Sequence, residues 1–378
     1  MGVVDNLSSL IYSAATAAKL TLAFPKRVLD SAKVAKKPSY YPELPRKSDF
    51  EIWRDNVRWV LRDHWMYPYY ISNGMDVKDF RNMDDYLGHR EFSFARDRGN
   101  QELKKTITGS YNYIVLLRDK YAFASYLAST IGKEAVVDSV ALITDGQVYR
   151  PDTQQWTELQ SLLTDGSELV FKLLDGECAE GVMLVTVCGN EIRVDDRVMS
   201  RDEFAAYLAG NRYLVQNVVV QHSTLQQFKT KSVNTIRIVT IKGKSGQVGV
   251  FAAFLRLSDS ADSFVDNRAK GGLGIGIDLS NGQLMKYGLP HDAFGGRKEV
   301  HSLSGIRFEG FQLPYWQETV DLVCRAHKQF YELQSIGWDV VLTEDGPVLL
   351  EGNDDWEIGG PQDTYGGLKK RWFDMVNG

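Results

Sequence analysis

The chain has 378 residues, with 43% hydrophobic and 25% charged residues, a composition that buries a large core and excludes a mainly disordered protein. Acidic residues outnumber basic ones 49 to 44, for a net charge of −5, so the basic surplus of a nucleic-acid binder is missing. Three cysteines (Cys178, Cys188, Cys324) are too few and too scattered for a disulfide framework or a zinc site, which makes a reducing, cytoplasmic setting the expectation.

Leu7, Leu10, Ile11, Ala14, Ala18 and Leu22 fall at helical spacing. The stretch is too short to span a bilayer, which takes about 20 apolar residues, and it starts with Asp5 rather than the basic residues of a secretory signal. A packed or interfacial amphipathic helix is expected, with peripheral membrane contact as the second reading and no transmembrane segment. Residues 25–47 read as a basic linker punctuated by Pro25, Pro38, Pro42 and Pro45. A helix follows, capped by Ser48 and carrying Ile52, Trp53, Val57, Val60 and Leu61 up to Asp63. Trp65 to Asn100 is rich in aromatics and is expected to cap a core, with a substrate-facing role as the alternative.

From Tyr113 strands and helices alternate. Ile114–Leu117 is a short apolar run, Asp119–Ser129 an amphipathic helix, and Val140–Thr144 with Gln147–Arg150 a hairpin turning at Asp145-Gly146. Strands are predicted at Glu168–Leu173, Val182–Val187, Tyr213–Val219, Thr235–Ile241 and Gln247–Leu257. A helix covers Trp316–Gln334, and strands Trp338–Leu342 and Val348–Glu351 close the fold. Hairpin-length connections outnumber crossovers, which predicts an α+β fold with antiparallel sheets.

Several common machines are excluded. Gly243-Lys244-Ser245 lacks the earlier glycine of a phosphate loop, Gly271–Gly276 fits no GxGxxG register, and GxSxG and HExxH are both missing. The final hairpin is more informative. Glu351 and Asn353 are two apart on a strand and share a face, which neighbouring Leu349 and Trp338 suggest is otherwise apolar. A two-residue Asp345-Gly346 turn would aim Asp339 away from them, whereas a three-residue Glu344-Asp345-Gly346 turn would pair Asp339 with Glu351. The second register gathers two carboxylates and an amide oxygen, hard ligands suited to Mg²⁺; solvent-exposed acids are the other reading. Lys172 ends an apolar strand before a loop bounded by Gly176 and Gly181, as a phosphate-holding lysine would, or as an edge-strand lysine. Lys120 opens a helix, where a cation is out of place unless an anion is near, although a plain surface lysine reads as well. Leu214–Val219 is an apolar strand whose backbone could pair with a purine edge.

Taken in this order, the elements resemble the ATP-grasp superfamily over about Tyr113 to Gln362, and are most similar to its sugar-transfer-associated members. The most specific matches are Asn234–Thr240 and the Gly337–Asp339 and Glu351–Asn353 segments. The resemblance implies two α+β subdomains whose antiparallel sheets clamp ATP, with a mainly helical N-terminal region. The expected division is 1–110 for the cap, 111–220 for the N-terminal subdomains with the glycine-rich loop, and 221–378 for the C-terminal subdomain with the metal site. It implies Lys120 and Lys172 on the nucleotide phosphates, Gly176 and Gly181 bounding the loop, and Gln216, Asn217 and Val218 at the adenine hinge. It implies Asp339, Glu351 and Asn353 on Mg²⁺ (or Mn²⁺), Arg237 and Arg256 facing the γ-phosphate or an acyl phosphate, and Asp266, Asn267, Gly271 and Gly272 near the phosphates and acceptor. The activity implied is ATP-dependent carboxylate–amine ligation through an acyl phosphate, on an amino acid or a sugar-derived substrate of polysaccharide or secondary metabolism. The alternatives are a small-molecule kinase that stops at the phosphorylated product and a nucleotide-binding module without activity.

Overall fold

The computed structural model describes residues 23–99, 114–174, 176, 181–195, 197–259, 272–290 and 296–378. The expected helix over residues 5–22 lies outside them. Residues 23–34 form a helix (α1) rather than the start of a linker. Pro25 misled the reading, because a proline usually signals a break in a helix. Helix α2 (Asp49–Asp63) starts at Ser48 as expected, with a full capping box in which Ser48 and Glu51 satisfy each other's backbone N–H. Helix α3 (His89–Gly99), the short α4 (Val115–Arg118) and α5 (Lys120–Ile131) follow. The apolar run at Ile114 is therefore a helical turn, with Leu117 pointing into the core.

The first sheet is antiparallel throughout, in the order β3-β2-β1-β8-β4-β5-β6-β7. Its strands are β1 (Ser139–Thr144), β2 (Gln147–Arg150), β3 (Gln155–Glu158), β4 (Glu168–Leu173), β5 (Met183–Cys188), β6 (Glu191–Val194), β7 (Arg197–Ser200) and β8 (Tyr213–Asn217). The β1–β2 turn is Asp145-Gly146, both with positive φ (49° and 75°), as the type I′ geometry demands. Helix α6 (Arg201–Leu208) lays Phe204 and Leu208 over Phe171, Val185 and Val215 to close this sheet's core.

The short α7 (Ser223–Gln226) leads to the second sheet, also antiparallel, in the order β12-β11-β10-β9-β13-β14. Its strands are β9 (Thr235–Lys242), β10 (Val248–Leu257), β11 (Leu273–Ile277), β12 (Leu284–Leu289), β13 (Ser335–Thr343) and β14 (Gly346–Asn353). Helix α8 (Trp316–Gln329) and α5 cover one face, with Phe123, Leu127, Val323 and Phe330 packed on Ile236, Ile238, Trp338 and Leu349. Among the described residues the opposite face is covered only in part. At one end Val239, Ile241 and Phe251 are sealed by Phe92 of α3, Trp356, and Trp372 of the C-terminal helix α10 (Lys369–Asn377), which follows α9 (Gly359–Tyr365). The remainder of that face carries the charged residues described next.

The N-terminal region is tied to this frame by a buried polar latch. Asp363 of α9 accepts hydrogen bonds from Ser72 (2.6 Å) and Asn73 (2.7 Å). Gln362 accepts from the Leu87 N–H (2.9 Å) and donates to the Tyr67 hydroxyl (2.8 Å).

Candidate active site

The acidic hairpin pairs Asp339 with Glu351 and Gly337 with Asn353. It reaches that register by neither anticipated turn. Thr343 pairs with Gly346 around a two-residue Glu344-Asp345 turn, and a β-bulge between the pairs Asp339–Glu351 and Val340–Leu349 takes up one extra residue, Leu350. The bulge also corrects the expected surroundings. Leu349 and Trp338 face away from the acids, into the helix-covered core, while Glu351 turns toward Asp339. Burial of Leu349 opposite Val340 decides where the irregularity sits.

Neighbouring strands extend the row. Arg237 on β9 lies opposite Asp339, and Arg256 on β10 is two residues along from Phe254, the partner of Arg237, so all three polar side chains share one face. Arg237 donates from Nε to one carboxylate oxygen of Asp339 and from Nη2 to the other (3.0 Å), and Arg256 donates to the second oxygen at 2.8 Å. Burial alone would raise the Asp339 carboxyl, but the two guanidinium groups outweigh it and hold the acid well below the usual carboxylate range. Glu351 moves the other way, raised by burial and by the negative charge of Asp339. Asn353 donates to Glu351 Oε1 and to the Gly337 carbonyl, both at 3.3 Å. Gly337 must be glycine, because a Cβ there would stand 2.8 Å from Cβ of Trp356.

The first sheet brings the lysines. On β4, Leu169 and Phe171 bury into the sheet core, so Lys172 projects from the other face with Val170 and the cross-strand Gln216. Burial lowers the Lys172 ammonium to about 8; the charges of Glu351 and Asp339 on the second sheet oppose the shift, and Lys120 adds to it. Lys120 is the first residue of α5, and Asp119, the N-cap, accepts from the Tyr121 and Ala122 N–H groups (3.0 and 2.8 Å). Asp119 thus supplies an anion beside this positive helix end, and Lys120 itself donates to the Gly176 carbonyl (2.5 Å). Gly181, at φ 65°, packs on Leu173 so closely that a Cβ would lie 2.4 Å from it. Gln216 is buried and donates to the Val137 carbonyl (3.2 Å), Asn217 ends β8, and Val218 begins the connection to the second sheet. Lys120, Lys172, Asp339, Glu351, Asn353, Arg237 and Arg256 are therefore brought together, whereas Asn217 and Val218 stand at the strand end. Asp266, Asn267 and Gly271 lie outside the described residues; Gly272 directly precedes β11.

Among the described residues no group of three or more His, Cys, Asp or Glu is arranged to hold a metal ion. The donor set consists of two carboxylates and one amide, with Asp339 already engaged by both arginines.

The family model described as sugar-transfer associated ATP-grasp matches residues 98–374, well over half of the chain. The chain belongs to this family. No curated protein matches. Among solved structures the chain is similar to N5-carboxyaminoimidazole ribonucleotide synthetase from Thermotoga maritima, at 11% identity and a TM-score of 0.35, over 68% of this chain and 48% of that one. It is similar to L-amino acid ligase from Bacillus licheniformis, at 14% identity and TM-score 0.35, over 68% and 44% of the two chains. It is also similar to D-alanine-D-alanine ligase from Coxiella burnetii, at 11% identity and TM-score 0.34, over 70% and 54%. The chain spans about half the length of each of these.

Two features of this candidate site escaped the sequence reading. Arg118, just before Lys120, grips Asp354, just after Asn353, through two bonds of 2.7 and 3.0 Å. Next to it, Arg96 of α3 pairs with Asp355 and donates to the Trp356 carbonyl (2.8 Å). The only sequence signal was the Asp354-Asp355 pair itself, since its partners lie more than two hundred residues away.

Proposed function

We propose that this ATP-grasp protein is an ATP-dependent carboxylate–amine ligase that forms an amide through an acyl phosphate. The observation that carries the reading is the meeting of Lys120 and Lys172 from one side with Asp339, Glu351, Asn353, Arg237 and Arg256 from the other. Lysines there hold the polyphosphate, and a polyphosphate beside Lys172 would return its ammonium toward its ordinary range. Gly176 and Gly181 bound the loop over the phosphates, and Gln216, Asn217 and Val218 form the adenine hinge.

Asp339, Glu351 and the Asn353 amide are the residues that would hold Mg²⁺; the raised Glu351 carboxyl beside a second acid fits a cation between them. When bound, the ion supplies charge neutralisation on the phosphate oxygens. Were Asp339 to ligate it, Arg237 and Arg256 would release their hold and turn to the γ-phosphate, where they would stabilise charge as it develops. The substrate carboxylate attacks the γ-phosphorus, the bond to the β-phosphate oxygen breaks, and ADP leaves. The amine then attacks the acyl carbon, and phosphate and the amine proton depart. Asn267 is assigned to this acceptor side. Residues 1–110 form the cap, 111–220 the lysine-bearing subdomains, and 221–378 the acidic one, in a cytoplasmic enzyme.

ADP release against panels of acids and amines, singly and paired, with product masses, tests the reading. ADP formed only with both partners and an amide mass is the expected result. A stable phosphorylated product from a single substrate would assign a kinase instead.

A further inference from the structure

Helix α2 carries an apolar stripe that the described chain covers only in part. Phe50 and Leu61 are 64% and 60% exposed, Trp53 and Val57 between them are half-buried, and Trp65 just past the helix is 41% exposed. Spacings of three and four place these on one outward face, opposite Ile52, Trp59 and Val60, which are fully buried. Arg54 and Arg58 are exposed on the same face.

Helix α1 lies along this stripe in the opposite direction. Arg27 stacks over Trp65 at 4.2 Å and donates to the His64 carbonyl (2.7 Å); just past the helix's end Lys36 pairs with Asp49 at 2.7 Å. Between them the Trp53 indole donates to the Val28 carbonyl (3.4 Å), and Leu29 is 74% exposed. Residues 23–47 hold seven lysines and arginines against two acids, in a chain whose net charge is −5.

We propose that the face formed by α1 and the outer stripe of α2 docks on an anionic lipid bilayer. Apolar and aromatic side chains standing among arginines and lysines have the make-up of an interfacial helix: the rings enter the headgroup layer while long cationic side chains reach phosphates. A second copy of this chain fits less well, because a symmetric contact would set one positive rim against another. The occupant is chosen by this charge and is independent of the ligase reading.

The experiment is sedimentation of the full chain with vesicles of phosphatidylcholine alone or mixed with phosphatidylglycerol, at low and high salt. Binding to the anionic vesicles is expected, weakening as salt screens the charge and on the order of tenfold lower on neutral vesicles. Phe50→Ser with Leu61→Ser, both at exposed positions, is expected to lower the bound fraction about tenfold without shifting the thermal midpoint. Arg58→Glu with Lys26→Glu should abolish the preference for anionic lipid. No sedimentation, equal binding to neutral vesicles, or binding that survives both variant pairs would overturn the proposal. A dimer in light scattering that the serine variant dissolves would overturn it in favour of self-association.

Discussion

At the residue scale the site is a balance of charges that each substitution should tip in a stated direction. Asp339 is held ionised by Arg237 and Arg256, whereas Glu351 is pushed toward protonation by its surroundings. Asp339→Asn and Glu351→Gln are each expected to remove ADP formation while the far-UV spectrum stays near that of the parent. Full turnover in either variant would withdraw that residue from the metal set. Lys172 stands half-buried with its ammonium lowered to about 8, a position that favours an anion arriving there. Lys172→Met is therefore predicted to weaken ADP binding by one to two orders of magnitude, ~1.4–2.7 kcal/mol, in a fluorescence titration. The roles assigned to these residues came from the order of motifs along the chain, since a lysine or an acid in a strand has no signature of its own. What the motifs could not convey was that Asp339 spends its oxygens on arginines two strands long in reach.

At the element scale the acidic hairpin rests on a buried relay. The Trp338 indole donates to Thr240 Oγ1 (2.8 Å), the Thr240 hydroxyl meets His327 Nδ1 (2.6 Å), and His327 Nε2 meets the Leu333 carbonyl (3.0 Å). Nε2 can only donate to that carbonyl, and burial keeps the imidazole neutral, which leaves Nδ1 to accept from the Thr240 hydroxyl. Burial lowers it to about 4. The unfolded chain takes up a proton below its ordinary 6.5, while the native state refuses it until about 4. This contribution to stability is complete above pH 6.5 and is lost between 6.5 and 4, amounting to about 3 kcal/mol. Urea midpoints measured across that range should fall for the parent and fall less for His327→Gln. Strands with apolar runs, such as β4, β9 and β13, were legible because burial writes itself into composition. The edge strands β3 and β7 were not, since nearly all their side chains are exposed, nor was β6, whose buried Ile192 and Val194 make an alternation only four residues long. Helix α1 was hidden by Pro25, which reads in a sequence as a helix breaker.

At the scale of the whole molecule, two arginines fasten the loop after Asn353 to separate parts of the chain. Arg118 brings the Lys120 end of α5 to Asp354, and Arg96 brings α3 to Asp355. Arg118→Ala strips the almost fully buried Asp354 of this partner; because Arg118 is itself half exposed, a destabilisation of about 1–2 kcal/mol is expected, at the low end for a broken pair. The same variant should raise the KM for ATP more than it lowers kcat, as the lysine end of α5 loses its tie to the acidic strand. A variant with unchanged KM would mean that this pair stabilises without positioning. The latch at Asp363 makes a parallel case: Asp363→Ala leaves Ser72 and Asn73 without their shared acceptor and should expose the N-terminal region to limited proteolysis at protease levels that spare the parent. Pairings of this range leave no local trace in a sequence, because only the folded chain brings position 118 to position 354.

The extra residue at Leu350 behaves like a dislocation in a crystal lattice, a single line of misfit that can glide without disturbing the order on its far side. Moved to the turn, it would become a three-residue loop, and the rungs between would each shift by one, yet Asp339 would still face Glu351 and Gly337 would still face Asn353. The carboxylate end of the hairpin is thus insulated from the place where the misfit resides. Leu349 pins the defect by its burial, so that packing in the core, rather than the chemistry of the cleft, sets the position of the irregularity.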